Sequence, residues 1–409
     1  MTGAQGITTR AAEVEELIPL MVPEIRGNEW RYVKECLDSN WVSSVGAFVD
    51  RFEREVAAQV GSRFGVATVN GTSALHIALL VAGIKPDDDV LVSTLTFIAP
   101  ANAIRYVGAW PVFIDAEPDY WQMDPEKLET FLAKECRYNE GRLYNPRTGR
   151  QVTAIIPVHI LGHPVDLDPI LELARRFGLK VIEDATEALG AEYKRTRVGS
   201  GGDIACFSFN GNKIVTTGGG GMLVTDNEQW ALRAKHLTTQ AKADAVEYVH
   251  NEIGYNYRLT NLQAALGCAQ MENLEVYVKA KRQIAERYRE GLQGVAGVRL
   301  MKQARWAAST YWMYTIAVDE TEFGMSSREL LRYLRDRGIE TRPLWQPIHL
   351  SPAYVGPAHS RYKVAERLFT KGLSLPCSTG LTLEQQERVI AEITSAQARV
   401  RKTSSNVEA

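Results

Sequence analysis

The chain has 409 residues, and its 47 Lys and Arg side chains nearly balance 49 Asp and Glu side chains, for a formal charge of −2 at pH 7. Hydrophobic residues make up 45% of the chain and charged residues 23%, the proportions of an ordinary globular protein. This length predicts about two or three domains and a core that needs neither disulfides nor a structural metal. The near-neutral charge argues against general binding to nucleic acid or to an anionic membrane.

The cysteines and the N-terminus indicate the compartment. The five cysteines form no CxxC pair and match no zinc-ligand spacing, which is typical of reduced thiols. The first residues lack the apolar run of a signal peptide, and no stretch approaches the ~18 apolar residues of a membrane span. We therefore expect a cytoplasmic protein that binds no metal.

Short apolar runs alternate with helical patterns up to residue 225. They predict strands over residues 64–69, 89–93, 110–115, 154–158, 180–184, 204–209 and 222–225, with helices over 73–83, 97–107 and 167–177. Such alternation predicts an α/β fold in which a mostly parallel sheet lies between helices. Ligands of these sheets bind at the carboxyl ends of the strands.

Two later segments depart from this alternation. Residues 137–150 are polar, basic and rich in turn formers, which predicts a surface loop. One long amphipathic helix is predicted over residues 260–292, followed by a strand over 310–318, a helix over 326–337, an extended segment over 338–344 and a helix over 383–401. We infer a large α/β domain over residues 1–254 and a smaller α+β domain over residues 255–409.

Two of the predicted strand ends carry candidate binding groups. Gly71, Thr72 and Ser73 follow a strand and open a helix, where free backbone N–H groups suit a phosphate; alternatively, Thr72 simply caps the helix. Asp184 ends the strand KVIED, where a carboxylate suits a ribose hydroxyl, a metal or a protonated ring nitrogen. The alternative is that Asp184 only caps the following helix.

Lys213 is isolated in an otherwise uncharged stretch. It is the sole basic residue between positions 204 and 225, and four glycines follow it at 218–221. Desolvation would lower the pKa of its amine and make it a Schiff-base nucleophile, whereas the alternative is an exposed lysine on a flexible hairpin. The glycines predict a closely packed turn beside it.

These pieces together match one cofactor. Pyridoxal 5′-phosphate needs a phosphate anchor, an anion against its ring nitrogen and an amine on its aldehyde. Phe97, at the end of another predicted strand, is the candidate for stacking on the ring, although an aromatic residue there is also common in a core. The sequence therefore predicts a pyridoxal phosphate site.

Six segments in order carry a family resemblance: NGTSALHIALL, TLTFIAPANAI, VIEDATEALGA, CFSFNGNK, TTGGGGM and GYNYRLTNLQAALG. They resemble the DegT/DnrJ/EryC1/StrS nucleotide-sugar aminotransferases, which are fold-type I pyridoxal phosphate enzymes. The resemblance implies a large domain with a mixed, mostly parallel seven-stranded sheet between helices, and a smaller α+β C-terminal domain.

The resemblance also implies roles for individual residues. Lys213 would bond to the cofactor and move the proton between substrate and cofactor, Asp184 would pair with the ring nitrogen, and Phe97 would cover one ring face. The cofactor phosphate would be held by Gly71, Thr72, Ser73 and Ser208.

Two further positions bear on the cofactor. Glu187 lies where members of the family commonly carry Gln or His, near the phenolic oxygen of the cofactor. Asn256 would reach the cofactor phosphate of the neighbouring subunit, which implies an obligate homodimer with shared active sites.

The segments SFNGNKIVTTGGGG and GHPVDLD are similar to the branch that aminates C4″ of 4-keto-6-deoxy nucleotide sugars, with L-glutamate as donor. This resemblance implies a UDP-linked 2-acetamido sugar for surface glycan biosynthesis, such as O-antigen; the alternative is GDP-4-keto-6-deoxymannose, which yields perosamine. Related dehydratases carry His in place of Lys213, so Lys213 favours transamination. The alternative of another class is a regulator that binds the cofactor without turnover.

Substrate contacts are expected from two serines that resemble the family's N-terminal active-site loop, from two cations suited to a diphosphate, and from two histidines. These residues are Ser43, Ser44, Lys242, Arg258, His159 and His349.

Overall fold

A computed structural model describes residues 17–244, 246–354 and 362–405, with side chains to residue 399. Residues 1–16, which belong to the N-terminal segment considered for a signal peptide, lie outside these ranges. Within the described ranges no helix is long and apolar enough to cross a membrane.

The strands are β1 (Phe64–Thr68), β2 (Asp89–Ser93), β3 (Trp110–Ile114), β4 (Arg137–Asn139), β5 (Arg142–Asn145), β6 (Arg150–Ile156), β7 (Lys180–Asp184), β8 (Glu192–Tyr193), β9 (Thr196–Arg197), β10 (Ile204–Ser208), β11 (Gly221–Thr225), β12 (Val298–Leu300), β13 (Ala307–Ala308), β14 (Tyr314–Val318), β15 (Arg342–Pro343) and β16 (Gly372–Leu375). The helices are α1 (Glu29–Asp38), α2 (Ala47–Val60), α3 (Gly71–Val81), α4 (Ala99–Tyr106), α5 (Pro125–Thr130), α6 (Leu167–Phe177), α7 (Glu228–Thr238), α8 (Asn261–Met271), α9 (Leu274–Leu292), α10 (Glu320–Phe323), α11 (Ser327–Arg335), α12 (Lys363–Lys371) and α13 (Leu383–Ser405).

The large sheet runs in the order β1-β11-β10-β7-β6-β2-β3. Strands β10, β7, β6, β2 and β3 are parallel, whereas β11 is antiparallel to both of its neighbours. This path confirms the prediction of a mixed, mostly parallel sheet. Because β1 and β10 both oppose β11, the carboxyl end of β1 lies at the same edge as those of the parallel strands.

The prediction of a surface loop over residues 137–150 is wrong. Strands β4 and β5 form an antiparallel hairpin, and β5 pairs with the start of β6, so the segment extends the large sheet. The Asn145 amide and the Thr148 hydroxyl donate to the buried Asp89 carboxylate at 2.8 and 2.7 Å, which ties the hairpin to the core. The turn-forming residues thus serve the tight turns of a hairpin.

Helix α3 anchors the large domain beside the sheet. Its sequence is apolar on nearly every side, and Leu75, Ile77 and Leu79 are fully buried. A helix of this kind must be covered all round, and α3 packs against β10, β11, α4 and α7. This packing fixes the N-terminus of α3 at the carboxyl edge of the sheet.

The single helix predicted over residues 260–292 is instead two helices, α8 and α9, with a break at Glu272 and Asn273. The Glu272 carboxylate accepts hydrogen bonds from the Tyr32 hydroxyl at 2.5 Å and from Arg51 at 2.9 Å. These partners come from α1 and α2, against which α8 packs. The amphipathic pattern continues through the break, so periodicity alone could not reveal it.

The smaller sheet has the order β12-β14-β16-β15, and its strands are antiparallel. Ile18 forms a parallel bridge to Ile339, so the N-terminal segment also contacts this part of the molecule. The division of the chain at residue 254 stays a prediction.

Candidate active site

The topology gathers several strand ends at one edge of the large sheet. Strand β1 leads to Asn70 and Gly71, β7 ends at Asp184, β10 ends at Ser208, and Phe97 follows β2. A cleft of about 270 Å³ lies there. It is lined by Asn70, Gly71, Thr72, Thr96, Phe97, Ala99, Pro100, Asp184, Thr186, Glu187, Ser208, Asn210, Asn212, Lys213, Gly220, Trp312 and Trp345.

The first turn of α3 forms one wall of the cleft. The side chain of Asn70, and not that of Thr72, caps the helix by accepting from the Ser73 N–H at 2.8 Å. Among the described residues, the N–H groups of Gly71 and Thr72 have no such partner. Ser73 is buried and does not line the cleft, and the phosphate contact predicted for it stays a prediction.

Gly71 permits a close approach between α3 and β10. A Cβ atom at this position would lie 2.9 Å from the Ser208 Cβ atom. The absence of a side chain therefore leaves two backbone N–H groups and the Ser208 hydroxyl facing one small region. A helix N-terminus with free N–H groups is a suitable anchor for a phosphate.

Asp184 is buried at the carboxyl end of β7. Its Oδ1 accepts from the Thr186 N–H at 3.2 Å, and burial raises the pKa of its carboxyl group. No helix begins directly after it, because the chain continues in turns to β8. The alternative prediction of a helix cap is therefore wrong, and the carboxylate faces the cleft.

Lys213 points into the cleft, and its side chain is 13% exposed. Its Nζ lies 3.6 Å from Glu187 Oε1 and 4.0 Å from the centroid of the Trp312 ring. Burial lowers the pKa of this amine, although Glu187 and Asp184 partly oppose the shift. The alternative of an exposed lysine on a flexible hairpin is wrong.

The four glycines at 218–221 are not equally crowded. Gly218 has a φ of +76°, which favours glycine, and Gly219 has room for a side chain. A Cβ atom at Gly220 would lie 2.3 Å from Thr217 Oγ1, and one at Gly221 would lie 2.3 Å from the Asn70 carbonyl oxygen. The predicted close packing therefore holds for the second pair alone, where β11 meets the turn before α3.

Glu187 lines the cleft and also accepts a hydrogen bond from a strained turn. Its Oε2 accepts from the Leu161 N–H at 2.8 Å, and Leu161 has a φ of +59°, which is unusual for a leucine. Burial raises the pKa of Glu187 to about 7, against the opposing effect of Lys213. A carboxyl group that keeps its proton near neutral pH does not repel an anionic oxygen of a ligand.

Phe97 is a surface residue of the cleft and not a core residue. Its side chain is 56% exposed, although its neighbours Leu95 and Thr96 are buried. An exposed aromatic ring that faces a cleft is available for stacking on a planar ligand.

The two candidate histidines do not line the cleft, and their predicted contacts with the substrate stay predictions. His159 is buried, accepts from the Val165 N–H at Nδ1 and therefore donates from Nε2 to Glu183 at 2.9 Å. His349 lies between the Thr94 hydroxyl at 2.6 Å and the Glu366 carboxylate at 3.1 Å. The ring nitrogens of both histidines are thus hydrogen-bonded to other residues of the chain.

The remaining candidates also lie outside the cleft of their own chain: Ser43, Ser44, Lys242, Asn256 and Arg258. The Ser43 carbonyl accepts from the Asn261 N–H at 2.6 Å, and the Lys242 amine lies 4.8 Å from the Tyr248 ring centroid. Asn256 is exposed and pairs with Thr239 in an isolated bridge.

The sequence analysis missed the two tryptophans of the cleft. Trp312 precedes β14 and Trp345 follows β15, and their rings are parallel with centroids 6.4 Å apart. No local motif marks either position. Asn210 and Asn212 could have been found from the sequence, because they precede Lys213 by three residues and one residue in the segment SFNGNK.

The cleft fits pyridoxal 5′-phosphate. The first turn of α3 suits the phosphate, the buried carboxylate of Asp184 suits a protonated ring nitrogen, and the Lys213 amine suits the aldehyde. Among the described residues, no cluster of His, Cys, Asp and Glu side chains is arranged to hold a metal ion. All five cysteines are free and buried.

Comparisons with known proteins identify the family. The DegT/DnrJ/EryC1/StrS aminotransferase family matches residues 23–394. The chain is 40% identical over 368 residues to the GDP-perosamine synthase of Escherichia coli O157:H7, covering 90% of this chain and 95% of the relative. It is 41% identical over 380 residues to the GDP-perosamine synthase of Caulobacter vibrioides, covering 92% and 97%.

A solved structure shares the fold as well. The DesV structure from S. venezuelae has a TM-score of 0.81 and 31% identity, and the match covers 90% of this chain and 94% of that chain. The chain belongs to the DegT/DnrJ/EryC1/StrS aminotransferase family and is a pyridoxal phosphate-dependent sugar aminotransferase.

Proposed function

We propose that this enzyme transfers the amino group of L-glutamate to the C4″ keto group of a nucleotide-linked 4-keto-6-deoxy sugar. The observation that carries the proposal is the buried Lys213 amine, which shares one cleft with Asp184 and the first turn of α3. This arrangement places an amine that can transfer protons beside a carboxylate for the ring nitrogen and N–H groups for the phosphate of the cofactor.

Six residues of the cleft have proposed tasks. Pyridoxal phosphate supplies the electron sink that stabilises negative charge on the substrate carbon. The Lys213 amine removes and returns the proton at that carbon, Asp184 keeps the ring nitrogen protonated, and Phe97 covers a ring face. The Gly71 and Thr72 N–H groups with the Ser208 hydroxyl hold the phosphate. Because burial lowers the pKa of Lys213, its amine is free to accept a proton nearer neutral pH.

The relatives favour a GDP-linked sugar. Two proteins that are 40% and 41% identical over most of both chains are named GDP-perosamine synthase. We therefore place GDP-4-keto-6-deoxymannose first and the UDP-linked 2-acetamido sugar second, which reverses the order expected from the sequence segments. Either product would serve surface glycan biosynthesis, and a cytoplasmic location stays a prediction.

A homodimer with shared sites is part of the proposal. Val246, Tyr248 and Ile253 are 82, 87 and 84% exposed in the segment that leads to Asn256. Apolar side chains this exposed favour a protein contact. In a dimer, this segment would bring Asn256, together with Lys242 and Arg258, to the cleft of the other subunit.

The test measures the two half-reactions separately. The loaded enzyme is mixed with L-glutamate, and we expect the visible absorbance of the lysine-bound cofactor to disappear while 2-oxoglutarate forms. The GDP- and UDP-linked 4-keto sugars are then titrated into separate samples, and the sugar that restores the absorbance is the substrate. If glutamate leaves the absorbance unchanged, the proposed donor is wrong, and if neither sugar restores it, the proposed acceptor is wrong.

A complementation experiment tests the shared site. K213A and N256A subunits are each expected to form defective homodimers. Mixed dimers contain one cleft with both native residues, so mixing should restore up to about a quarter to a half of the activity if Asn256 acts across the interface. Absence of any recovery would contradict the shared-site arrangement.

A further inference from the structure

Trp312 lies directly on the amine of Lys213. The Nζ atom is 4.0 Å from the centroid of the Trp312 ring, and Glu187 Oε1 lies 3.6 Å from the same atom. The face of an indole ring is electron-rich and attracts an ammonium group. The amine therefore has an aromatic face and a carboxyl group as neighbours.

Trp312 is held by one hydrogen bond at its side chain and by one at its backbone. Its Nε1–H donates to the Asn212 carbonyl at 2.7 Å, directly beside Lys213 in the chain. Its own carbonyl accepts from the Lys281 amine at 2.9 Å. The ring is 4% exposed and has little room to turn.

Lys281 is a fully buried lysine that the proposed reaction does not use. It lies on α9 and is 1% exposed. Besides Trp312, its Nζ contacts the Cys377 carbonyl at 2.5 Å and the Met21 sulfur at 3.0 Å. These neighbours come from the N-terminal segment, from the residues before β14 and from those after β16.

The three neighbours of Lys281 suit its protonated form. An ammonium group has three hydrogens to donate and no lone pair, and three acceptors surround it. Burial lowers the pKa of Lys281, and no carboxylate is hydrogen-bonded to it in the described part of the chain. Burying an ammonium group costs free energy, and the hydrogen bonds to these three acceptors offset part of that cost.

We propose that Trp312 is a catalytic residue, which with Glu187 holds the Lys213 ammonium group while that amine is not bonded to the cofactor, and that Lys281 is the positioning residue of Trp312. The proposal rests on the proposed role of Lys213. With the cofactor bound, Lys213 would leave the cofactor carbon when the nitrogen of the amino donor takes over that bond. One carbon–nitrogen bond would form as the other breaks, and two hydrogens from the donor amine would make the neutral Lys213 amine. The third hydrogen of the ammonium group would come from the Glu187 carboxyl, which keeps its proton near neutral pH and lies 3.6 Å away.

The ring serves this step without adding charge. In the described part of the chain, the carboxyl groups that act on the Lys213 amine are Glu187, which becomes charged when it gives up its proton, and Asp184, which suits the ring nitrogen of the cofactor. A third carboxylate would oppose binding of an anionic phosphate nearby, whereas an aromatic face stabilises the ammonium group and brings no net charge. Trp312 therefore influences the fraction of the Lys213 amine that is unprotonated and able to bond to the cofactor again.

The test measures the pKa of Lys213 in the full-length chain freed of cofactor. The rate at which acetic anhydride labels Lys213 is followed against pH by peptide mass spectrometry. Without the aromatic face the ammonium form is less stable, so W312L should lower the pKa and raise the labelling rate at a fixed pH about tenfold. W312F keeps a ring and should change the rate less. W345L removes the parallel indole that does not lie on Lys213 and serves as the control. An unchanged pKa in W312L would overturn the proposal.

A second pair of variants tests Lys281. K281M removes the amine that fixes the Trp312 carbonyl, and it should shift the Lys213 pKa in the same direction as W312L by a smaller amount. The matched control is R282M, because Arg282 donates to the Ser309 and Ala308 carbonyls nearby but not to Trp312. Equal shifts in K281M and R282M, or no shift in K281M, would contradict the positioning role.

Borohydride reduction of the loaded enzyme separates this proposal from the proposed function. Reduction should fix the cofactor to Lys213 in the wild type and in every variant of this series. Attachment to another lysine would refute the role of Lys213 itself. Attachment to Lys213 with no effect of W312L would refute the role of Trp312 alone.

Discussion

The cleft has two sides that are built in different ways. The cofactor floor consists of Gly71, Thr72, Asp184, Ser208 and Lys213, which lie at strand ends of the large sheet. The aromatic roof consists of Trp312 and Trp345, which come from the residues around the smaller sheet. The floor is fixed by sheet topology, whereas the roof depends on how the second part of the chain packs against the first.

This difference teaches that the two sides carry different kinds of chemistry. The floor presents N–H groups, a carboxylate and an amine, which suit the binding and activation of a cofactor. The roof presents two parallel rings, which suit covering the site. We therefore expect changes in the floor to affect cofactor chemistry and changes in the roof to affect the substrate, and a change of Trp312 to affect the state of Lys213 as well.

The largest effect is expected from Lys213→Ala. Loss of the amine removes the proton-transfer group, so the glutamate half-reaction should slow by at least about 1,000-fold, measured by stopped-flow absorbance or 2-oxoglutarate formation. The control is Lys194→Ala, an exposed lysine that pairs with Asp168 away from the cleft. Turnover near the wild-type rate in K213A would show that the floor does not contain the reactive amine.

The next effect is expected from Asp184→Asn. The amide has nearly the same shape and keeps an oxygen for the Thr186 N–H, so the fold should be preserved. It carries no negative charge to keep the ring nitrogen protonated, and the rate should fall about 100-fold or more, measured in the same half-reaction. Asp168→Asn on the surface is the matched control. An equal loss in both variants would indicate a general effect on the protein.

A pH-dependent effect is expected from Glu187→Gln in the cofactor-free chain. The folded protein keeps the Glu187 proton up to a pH of about 7, because burial raises this pKa from 4.5. The unfolded chain releases the proton at lower pH, so the wild type loses stability relative to E187Q as the pH rises from about 5 to 7. We expect a relative loss of about 1–3 kcal/mol in the free energy of unfolding, measured in urea at each pH. A difference that stays constant with pH would contradict the raised pKa.

A smaller effect is expected from Trp345→Leu in the roof. The variant loses an aromatic face of the cleft, and the KM for the nucleotide sugar should rise about tenfold while the affinity for pyridoxal phosphate is retained. Both quantities are measured on the same preparation, by steady-state kinetics and by fluorescence titration of the cofactor-free chain. Weaker cofactor binding with an unchanged KM would reverse the proposed division of tasks.

The smallest effect is expected from Gly71→Ala in the floor. The added methyl group would lie 2.9 Å from the Ser208 Cβ atom, so the anchor for the phosphate must widen. The dissociation constant for pyridoxal phosphate should rise about fivefold, and the KM for the sugar should change little. Gly219→Ala is the control, because Gly219 has space for a methyl group and a φ that alanine accepts. Equal effects in both variants would argue against a specific anchor at Gly71.

Much of the floor could be predicted from local sequence. Apolar runs located the parallel strands, and chemically suited residues stood at their ends, so Lys213, Asp184 and the first turn of α3 were found without a structure. The same reasoning failed where a tertiary contact decided the outcome. The segment 137–150 became a hairpin because Asp89 binds it, and the long helix breaks where Glu272 meets α1 and α2.

The candidate substrate residues show the same limit. His159 was a candidate because it follows a strand. The direction in which its side chain points depends on a hydrogen-bond partner elsewhere in the chain, and Glu183 holds the ring in the core. Trp312 was missed because it precedes its strand in the second part of the chain, 99 residues from the lysine that it covers. No local pattern reports a contact across that separation.

The sequence by itself determined the cofactor, because a phosphate anchor, a carboxylate and an isolated lysine are each legible in a few neighbouring residues, and the resemblance of six segments to a known family indicated the class of reaction. The tertiary structure alone decided the surroundings of that lysine. Its proximity to Glu187 and Trp312, and the burial that lowers its pKa, arise from packing between segments that are far apart in the chain. Reactivity depends on desolvation and on neighbouring charge, and both are properties of the folded protein.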